Sequence, residues 1–188
     1  MPTTLKITKD KILYAAFEIT RESGIENVSN RELAKKLNSS IRPIYYQFKN
    51  VEELNSELYK KIEKYFYKFL LDNMVNDIPP YKQVGLNYIK FAKEEQNLFK
   101  VLFMTNSNST LKKYDLSDDN FKKILNLIKI STKLSDEDIE SFHTKMWIFS
   151  HGLATLVANN IINLSDKQIK DLLTNEFQAL MLLEKNRL

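Results

Sequence analysis

Cysteine is absent from the 188 residues, and glycine and proline occur only three and four times. Without thiols the chain forms neither a disulfide nor a thiolate metal site. Gly24, Gly85 and Gly152 lie far apart. A phosphate-binding loop or a dinucleotide fingerprint packs several glycines into a few residues so that backbone N–H groups can reach an anion, and both are excluded. No apolar run approaches a membrane span, and the opening Met-Pro-Thr-Thr-Leu-Lys lacks the apolar core of a signal peptide. A cysteine nucleophile, a Gly-x-Ser-x-Gly elbow and a His-Glu-x-x-His helix are also missing. The expectation is a cytoplasmic protein that is not an enzyme, with no cofactor, no metal and no membrane partner.

Hydrophobic residues make up 43% of the chain, enough apolar surface to offset the entropy of ordering it. The charge is unevenly placed. Residues 1–50 hold nine Lys/Arg against five Asp/Glu, whereas the rest holds nineteen of each. All of the net charge of +4 therefore lies in the first quarter, a modest footprint for an anionic partner.

Apolar spacing and capping signals predict an all-α fold of about nine helices. The first begins near Thr8, turns Ile12, Ala15, Ala16 and Ile19 to one face, and stops at Gly24. Ser29 and Glu32 form a capping box for a short second helix with Leu33, Ala34 and Leu37 inward, ended by Asn38. Ser40 is expected to cap a third helix that buries Ile41, Ile44 and Phe48, with Pro43 in its first turn. Asn50 and Glu53 cap a long fourth helix, which Pro79-Pro80 ends. Tyr81, Val84, Tyr88 and Phe91 mark a fifth, and Phe99, Leu102 and Phe103 a sixth. Thr105 to Thr110 reads as a loop and Ser117 as the start of the seventh helix. Ser135 and Asp138 open an eighth running to about Ile162, and Ser165 caps the ninth.

Residues 29–48 read as a helix-turn-helix: a capped helix, the turn Asn38-Ser39-Ser40, and a second helix. On that second helix Arg42, Pro43 and Tyr46 point away from the apolar side. Tyr45 lies beside the apolar stripe, so its ring can pack while its hydroxyl reaches outward.

The helix ending at Gly24, Val28-Ser29, Leu33-Ala34-Lys35-Lys36-Leu37, Ser40, Ile44-Tyr45-Tyr46-Gln47-Phe48 and Glu52-Glu53-Leu54 together resemble the DNA-binding domain of the TetR (tetracycline-repressor) family. The match covers about residues 8–60. It implies a helix-turn-helix DNA-binding domain over residues 1–53 and an effector-binding and dimerisation domain over residues 54–188. It further implies a transcriptional regulator that acts as a homodimer, a repressor leaving a palindromic double-stranded DNA operator when a small molecule binds. Carried over, Ser29 or Asn30 contacts phosphate, and Ser39, Ser40, Tyr45 and Gln47 touch the backbone around the recognition helix. Arg42, Pro43 and Tyr46 face the bases. Arg42 is the long donor among them, and a guanidinium bidentate to guanine is the commonest specific contact. Two departures stand out: Asn38 replaces the usual turn glycine, and Val51 replaces a common lysine, with Lys49 as its substitute on a phosphate.

The later chain is dense in aromatics. In the resemblance, Phe66, Phe69, Tyr88, Phe91, Phe103, Phe121, Trp147 and His151 line a pocket for an apolar or aromatic effector, although such residues also serve as plain core. His143, Trp147 and His151 follow at four-residue steps, and two histidines eight residues apart do not readily bind one metal. His151 reads either as a core or interface histidine or as an effector contact. Gly152, Ala154, Thr155 and Ala158 allow another helix to approach closely. Leu180-Met181-Leu182-Leu183 is apolar all round and needs cover on more than one side. The expected two-fold interface takes in Gly152, Thr155, Ala158, Phe177 and Leu180. The competing class is a helical protein-interaction or membrane-surface protein without DNA binding. It would set apolar anchors among lysines on an exposed helix rather than Arg42, Tyr45 and Tyr46 on a capped, turn-linked one.

Overall fold

The computed structural model describes residues 7–72, 74–104 and 118–185. Among these residues the chain is all-helical: α1 (Lys9–Ser23), α2 (Asn30–Lys36), α3 (Arg42–Gln47), α4 (Val51–Asp72), α5 (Pro80–Glu94), α6 (Gln96–Phe103), α7 (Asp119–Thr132), α8 (Asp136–Ala158) and α9 (Asp166–Lys185). A 3-10 turn, Ile25–Asn27, joins α1 to α2. No helix among the described residues is long and apolar enough to cross a membrane.

The chain clusters into two units. One takes the described residues within Met1–Phe66 and Asn97–Asn106, the other those within Tyr67–Gln96 and Ser107–Leu188. In the first, Ile12, Ala16, Leu33, Ile44, Leu58 and Ile62 are sealed from solvent. In the second, Ile89, Phe91, Ile128, Phe142 and Ala154 are.

Helix ends account for most of the local order. The Thr8 hydroxyl accepts the Lys11 N–H at 3.3 Å to start α1. At the other end Gly24 adopts φ +95° and ψ 158°. That is not the left-handed conformation expected there but an extended region that only glycine enters cheaply. Asn38 is left-handed, with φ +48°. The N–H of Ser39 reaches back to the Ala34 carbonyl at 2.9 Å and that of Asn38 to Lys35 at 3.1 Å, the paired bonds of a Schellman end. Asn160, with φ +55°, closes α8 in the same way, with bonds from Ile161 to Leu156 and from Asn160 to Val157.

Several boundaries depart from the sequence reading. Ser40 does not cap α3; Ile41 holds that position. Were Ser40 the cap, the residue three places on would be Pro43, which has no N–H for the hydroxyl to accept. Ile41 therefore stands ahead of the turn that carries Ile44 and Phe48 inward, and is 45% exposed. Pro79-Pro80 starts α5 rather than ending α4, because proline at a first helical position loses no hydrogen bond. The Asn160 turn stops α8 at Ala158, short of Ile162. Asp118 caps α7, its carboxylate accepting from the N–H groups of Asn120 and Phe121. Ser117 and the expected Thr105–Thr110 loop lie outside the described residues.

Candidate nucleic-acid interface

A six-residue helix such as α3 is too short to persist alone, so its orientation depends on what it buries. Ile44 and Phe48 are 1% and 4% exposed and seat it on the first unit. Burying two such side chains contributes roughly 1.5–3 kcal/mol each. The opposite side is left open. Tyr46 is 86% exposed and Tyr45 62%, so the Tyr45 ring does not pack beside the apolar stripe but stands in solvent with its hydroxyl. Arg42 is exposed beside them, and Pro43 is half-buried.

Around α3 the other expected contacts are polar residues, exposed or half-buried. Ser29 is exposed at the cap of α2, where its hydroxyl accepts the Glu32 N–H at 3.2 Å. Asn30 is half-buried in the first turn of α2. In the turn, the Ser39 hydroxyl donates to the Ser40 carbonyl at 3.0 Å, and the Ser40 side chain faces solvent. Gln47 is half-buried, and its amide donates over 3.5 Å to the Ile7 carbonyl ahead of α1. Lys49 is exposed, and Val51, at 52%, presents an apolar side chain at the start of α4.

Glu53 is the capping partner of Asn50 that the spacing predicts. Its own N–H donates to Asn50 Oδ1 at 2.8 Å, as the spacing implied. Its carboxylate does more: Oε2 accepts the Lys49 backbone N–H at 2.8 Å and Oε1 the Lys9 ammonium at 3.0 Å. The Lys49 N–H, with the Lys9 contact second, holds the Glu53 carboxyl below the usual glutamate range. Lys9 also lies 5.0 Å from the centre of the Phe48 ring. Lys9 is 44 residues from its partner, and nothing in the sequence marks the pair.

The residues expected around an effector divide between the units. Phe66 and Phe103 meet edge to face at 5.4 Å in the first. In the second, Phe69 meets Phe91 at 5.3 Å, and the Trp147 ring stacks on His151 at 5.1 Å and 18°. Two tyrosine–histidine bridges join α5 to α8: Tyr81 Oη to His143 Nδ1 at 3.0 Å and Tyr88 Oη to His151 Nδ1 at 2.8 Å. A tyrosine hydroxyl that donates to Nδ1 requires a neutral imidazole with its hydrogen on Nε2. Burial pushes the His143 pKa down to about 4 and lowers that of His151 as well. Phe121 packs edge-on against His143 at 5.4 Å.

A polarised amide chain ties α5 to the end of α4. Asn87 Nδ2 donates to the Leu70 carbonyl at 3.0 Å, which forces Asn87 Oδ1 toward Gln83 Nε2 at 2.8 Å. The chain ends at Gln83 Oε1, a buried acceptor with no donor among the described residues.

Of the expected interface residues, Gly152 is exposed and a side chain added there would enter open space. Thr155 is half-buried. Ala158 and Leu180 are buried inside the second unit, and Phe177 packs edge to face on Phe142 at 5.3 Å. Other residues are exposed: Ile148 and Leu156 on α8, and Leu172, Leu182 and Leu183 on α9. The ion pair from Lys145 to the buried Glu184, 2.8 Å long, ties the middle of α8 to the end of α9.

No protein-family model and no curated protein matches this chain. Solved structures do. A TetR-family transcriptional regulator from Vibrio parahaemolyticus has a TM-score of 0.63 at 22% identity, covering 91% of this chain and 97% of its own. A second TetR-family transcriptional regulator, from Haemophilus influenzae, has 0.64 at 19%, covering 90% and 94%. A transcriptional regulator from a Rhodococcus species has 0.56 at 14%, covering 92% and 95%. At these identities the likeness is one of fold: the chain shares the all-helical architecture of these structures over more than nine-tenths of the first neighbour's length.

The neutral His143 makes acid stability a readout of the second unit. Its folded pKa of about 4 lies below the ordinary 6.5, so the unfolded chain binds more protons between those values. The stability it contributes is complete above about pH 6.5 and declines toward pH 4, by roughly 3 kcal/mol. Urea unfolding of the His143→Gln variant should fall less steeply over that window than the unmodified chain. Parallel curves would show that His143 is not the group responsible.

Proposed function

We propose that this chain is a DNA-binding transcriptional regulator, a homodimeric repressor that a small molecule releases from its operator. The carrying observation is the α2–turn–α3 arrangement, which buries Ile44 and Phe48 and leaves Arg42, Tyr45 and Tyr46 on one open side. Residues 1–53 would bind DNA and residues 54–188 would bind effector and partner. Exposed aromatic and guanidinium groups on a short, firmly seated helix fit a major groove, and the excess positive charge of residues 1–50 favours phosphate. Ser29, Asn30, Ser39, Ser40, Tyr45, Gln47 and Lys49 would hold the backbone. Arg42, Pro43 and Tyr46 would read bases.

The dimer would form through exposed apolar residues, with Ile148, Gly152 and Leu156 of α8 meeting Leu172, Leu182 and Leu183 of α9 about a two-fold axis. Ala158 and Leu180 would support that surface from beneath. The effector site is assigned to the second unit, near Tyr88, Trp147 and His151. An effector there acts by population shift, binding better to the arrangement that fits DNA less well.

Mobility-shift titrations on duplex DNA from upstream of the chain's own gene test the DNA assignment. Tyr45→Phe should weaken all sequences about equally, whereas Arg42→Ala should relax preference at one base position by about 1–3 kcal/mol. Equal loss with unchanged preference for both would reject the base-reading role. Light scattering tests the dimer: Leu182→Glu should yield monomers, and a monomeric unmodified chain at micromolar concentration would reject the interface. For the effector, apolar and aromatic small molecules are screened for release of the bound duplex. A hit should lose potency about tenfold or more against Trp147→Ala, a fold-change that corresponds to about 1.4 kcal/mol. Equal potency would remove Trp147 from the site.

A further inference from the structure

The Glu53 carboxylate is bonded on both oxygens to groups that flank the recognition helix on either side. Oε2 takes the backbone N–H of Lys49, two residues past the end of α3, at 2.8 Å. Oε1 takes the ammonium of Lys9, the first residue of α1, at 3.0 Å. Asn50 Oδ1 accepts the Glu53 N–H at 2.8 Å and so fixes the start of the helix that carries the carboxylate. Lys9 in turn lies over the Phe48 ring at 5.0 Å, and Phe48 is the residue that ends and seats α3. One acidic side chain thus ties together the start of α1, the exit of α3 and the entry to α4. The charged groups facing it are Lys9 from α1 and Lys49 from the turn, with Glu52 beside it on α4.

An acidic group this close to a DNA-facing surface repels phosphate unless its charge is consumed locally. Here it is consumed, and the same bonds hold the Lys49 backbone in one conformation. A lysine on a loose turn gives up much of its phosphate contact to the entropy of ordering it. A lysine whose backbone N–H is already held does not. We propose that Glu53 is a positioning residue for DNA binding: through the Lys49 N–H and the Lys9 ammonium it presets the turn between α3 and α4 so that the Lys49 side chain meets phosphate where Val51 offers none. The proposal rests on the DNA-binding reading above. It differs in assigning a role to a residue that touches no DNA.

Two measurements on the full chain test it. In proton–nitrogen correlation spectra, the Lys49 amide of the unmodified chain should shift on acidification with a midpoint below the ordinary glutamate value, and the shift should vanish in Glu53→Gln. A Lys49 amide that does not respond to that substitution would overturn the clamp itself. In mobility-shift titrations over a range of salt, Glu53→Ala should weaken binding roughly tenfold and flatten the salt slope by about one phosphate, leaving base preference unchanged. In a Lys49→Gln background the same substitution should cost almost nothing more. Additive losses, or an unchanged slope at a temperature where circular dichroism shows both chains folded, would overturn the positioning role. Should the alanine variant fail to fold, Glu53→Gln repeats the cycle, with a smaller loss and the same lack of additivity expected. An unmodified chain that binds no duplex at any salt removes the DNA-binding reading and the positioning role with it, while the amide titration still decides whether the clamp exists.

Discussion

The open side of α3 depends on the left-handed backbone at Asn38. Two helices as short as α2 and α3 hold no orientation by themselves, and the direction of the second is set where the first stops. The Schellman bonds from Ser39 to Ala34 and from Asn38 to Lys35 consume the last carbonyls of α2 and reverse the chain within a few residues. Asparagine serves where glycine is common because its short polar side chain tolerates this region better than other residues with a Cβ. The exposed Arg42, Tyr45 and Tyr46 follow from that reversal and from the burial of Ile44 and Phe48. Neither device acts alone.

The two units rely on different interior chemistry. The first is closed by aliphatic and phenylalanine side chains, with charged contacts such as Lys36 with Glu22 at 3.0 Å on its surface. Such exposed pairs contribute little to stability. The second buries polar groups in number: Gln83, Asn87, His143, Ser150 and Glu184 are each less than a tenth exposed. A buried polar group costs several kcal/mol unless it is bonded, so each bond there also specifies an arrangement. Lys145 with Glu184 fixes the pairing of α8 and α9 in this sense, and Asn87 fixes the end of α4 against α5.

Most helices were legible in the sequence because their caps are strong and their apolar residues recur at helical spacing. Thr8, Ser29, Asn50, Ser135 and Ser165 each accept an N–H from the start of the helix that follows. The misreadings share a cause: a residue type with two uses. Pro79-Pro80 stops one helix or starts another with equal ease, and only the packing of Tyr81 and Val84 decides. Leu180 to Leu183 is apolar in every direction, so its spacing could not show that Leu180 turns inward while Leu182 and Leu183 face out. For the candidate site, the helix-turn-helix and its outward residues were readable from local pattern. The Lys9–Glu53 pair and the Tyr–His bridges were not. Each joins residues 44 to 63 positions apart, and no local rule reports on such distances.

The Tyr–His bridges have a kinematic consequence. Their anchor points are seven residues apart on α5 and eight apart on α8, so the two helices run in the same direction and are pinned at two levels about two turns apart. Two pins remove the freedoms that one would leave: the helices can neither slide along each other by a residue's rise of about 1.5 Å nor pivot about a single contact without breaking a buried bond. Helices α5 and α8 therefore behave as a single beam. Any rearrangement inside the second unit has to be carried by the elements packed around that beam, by α7, α9 or the end of α4, while the beam keeps its own geometry.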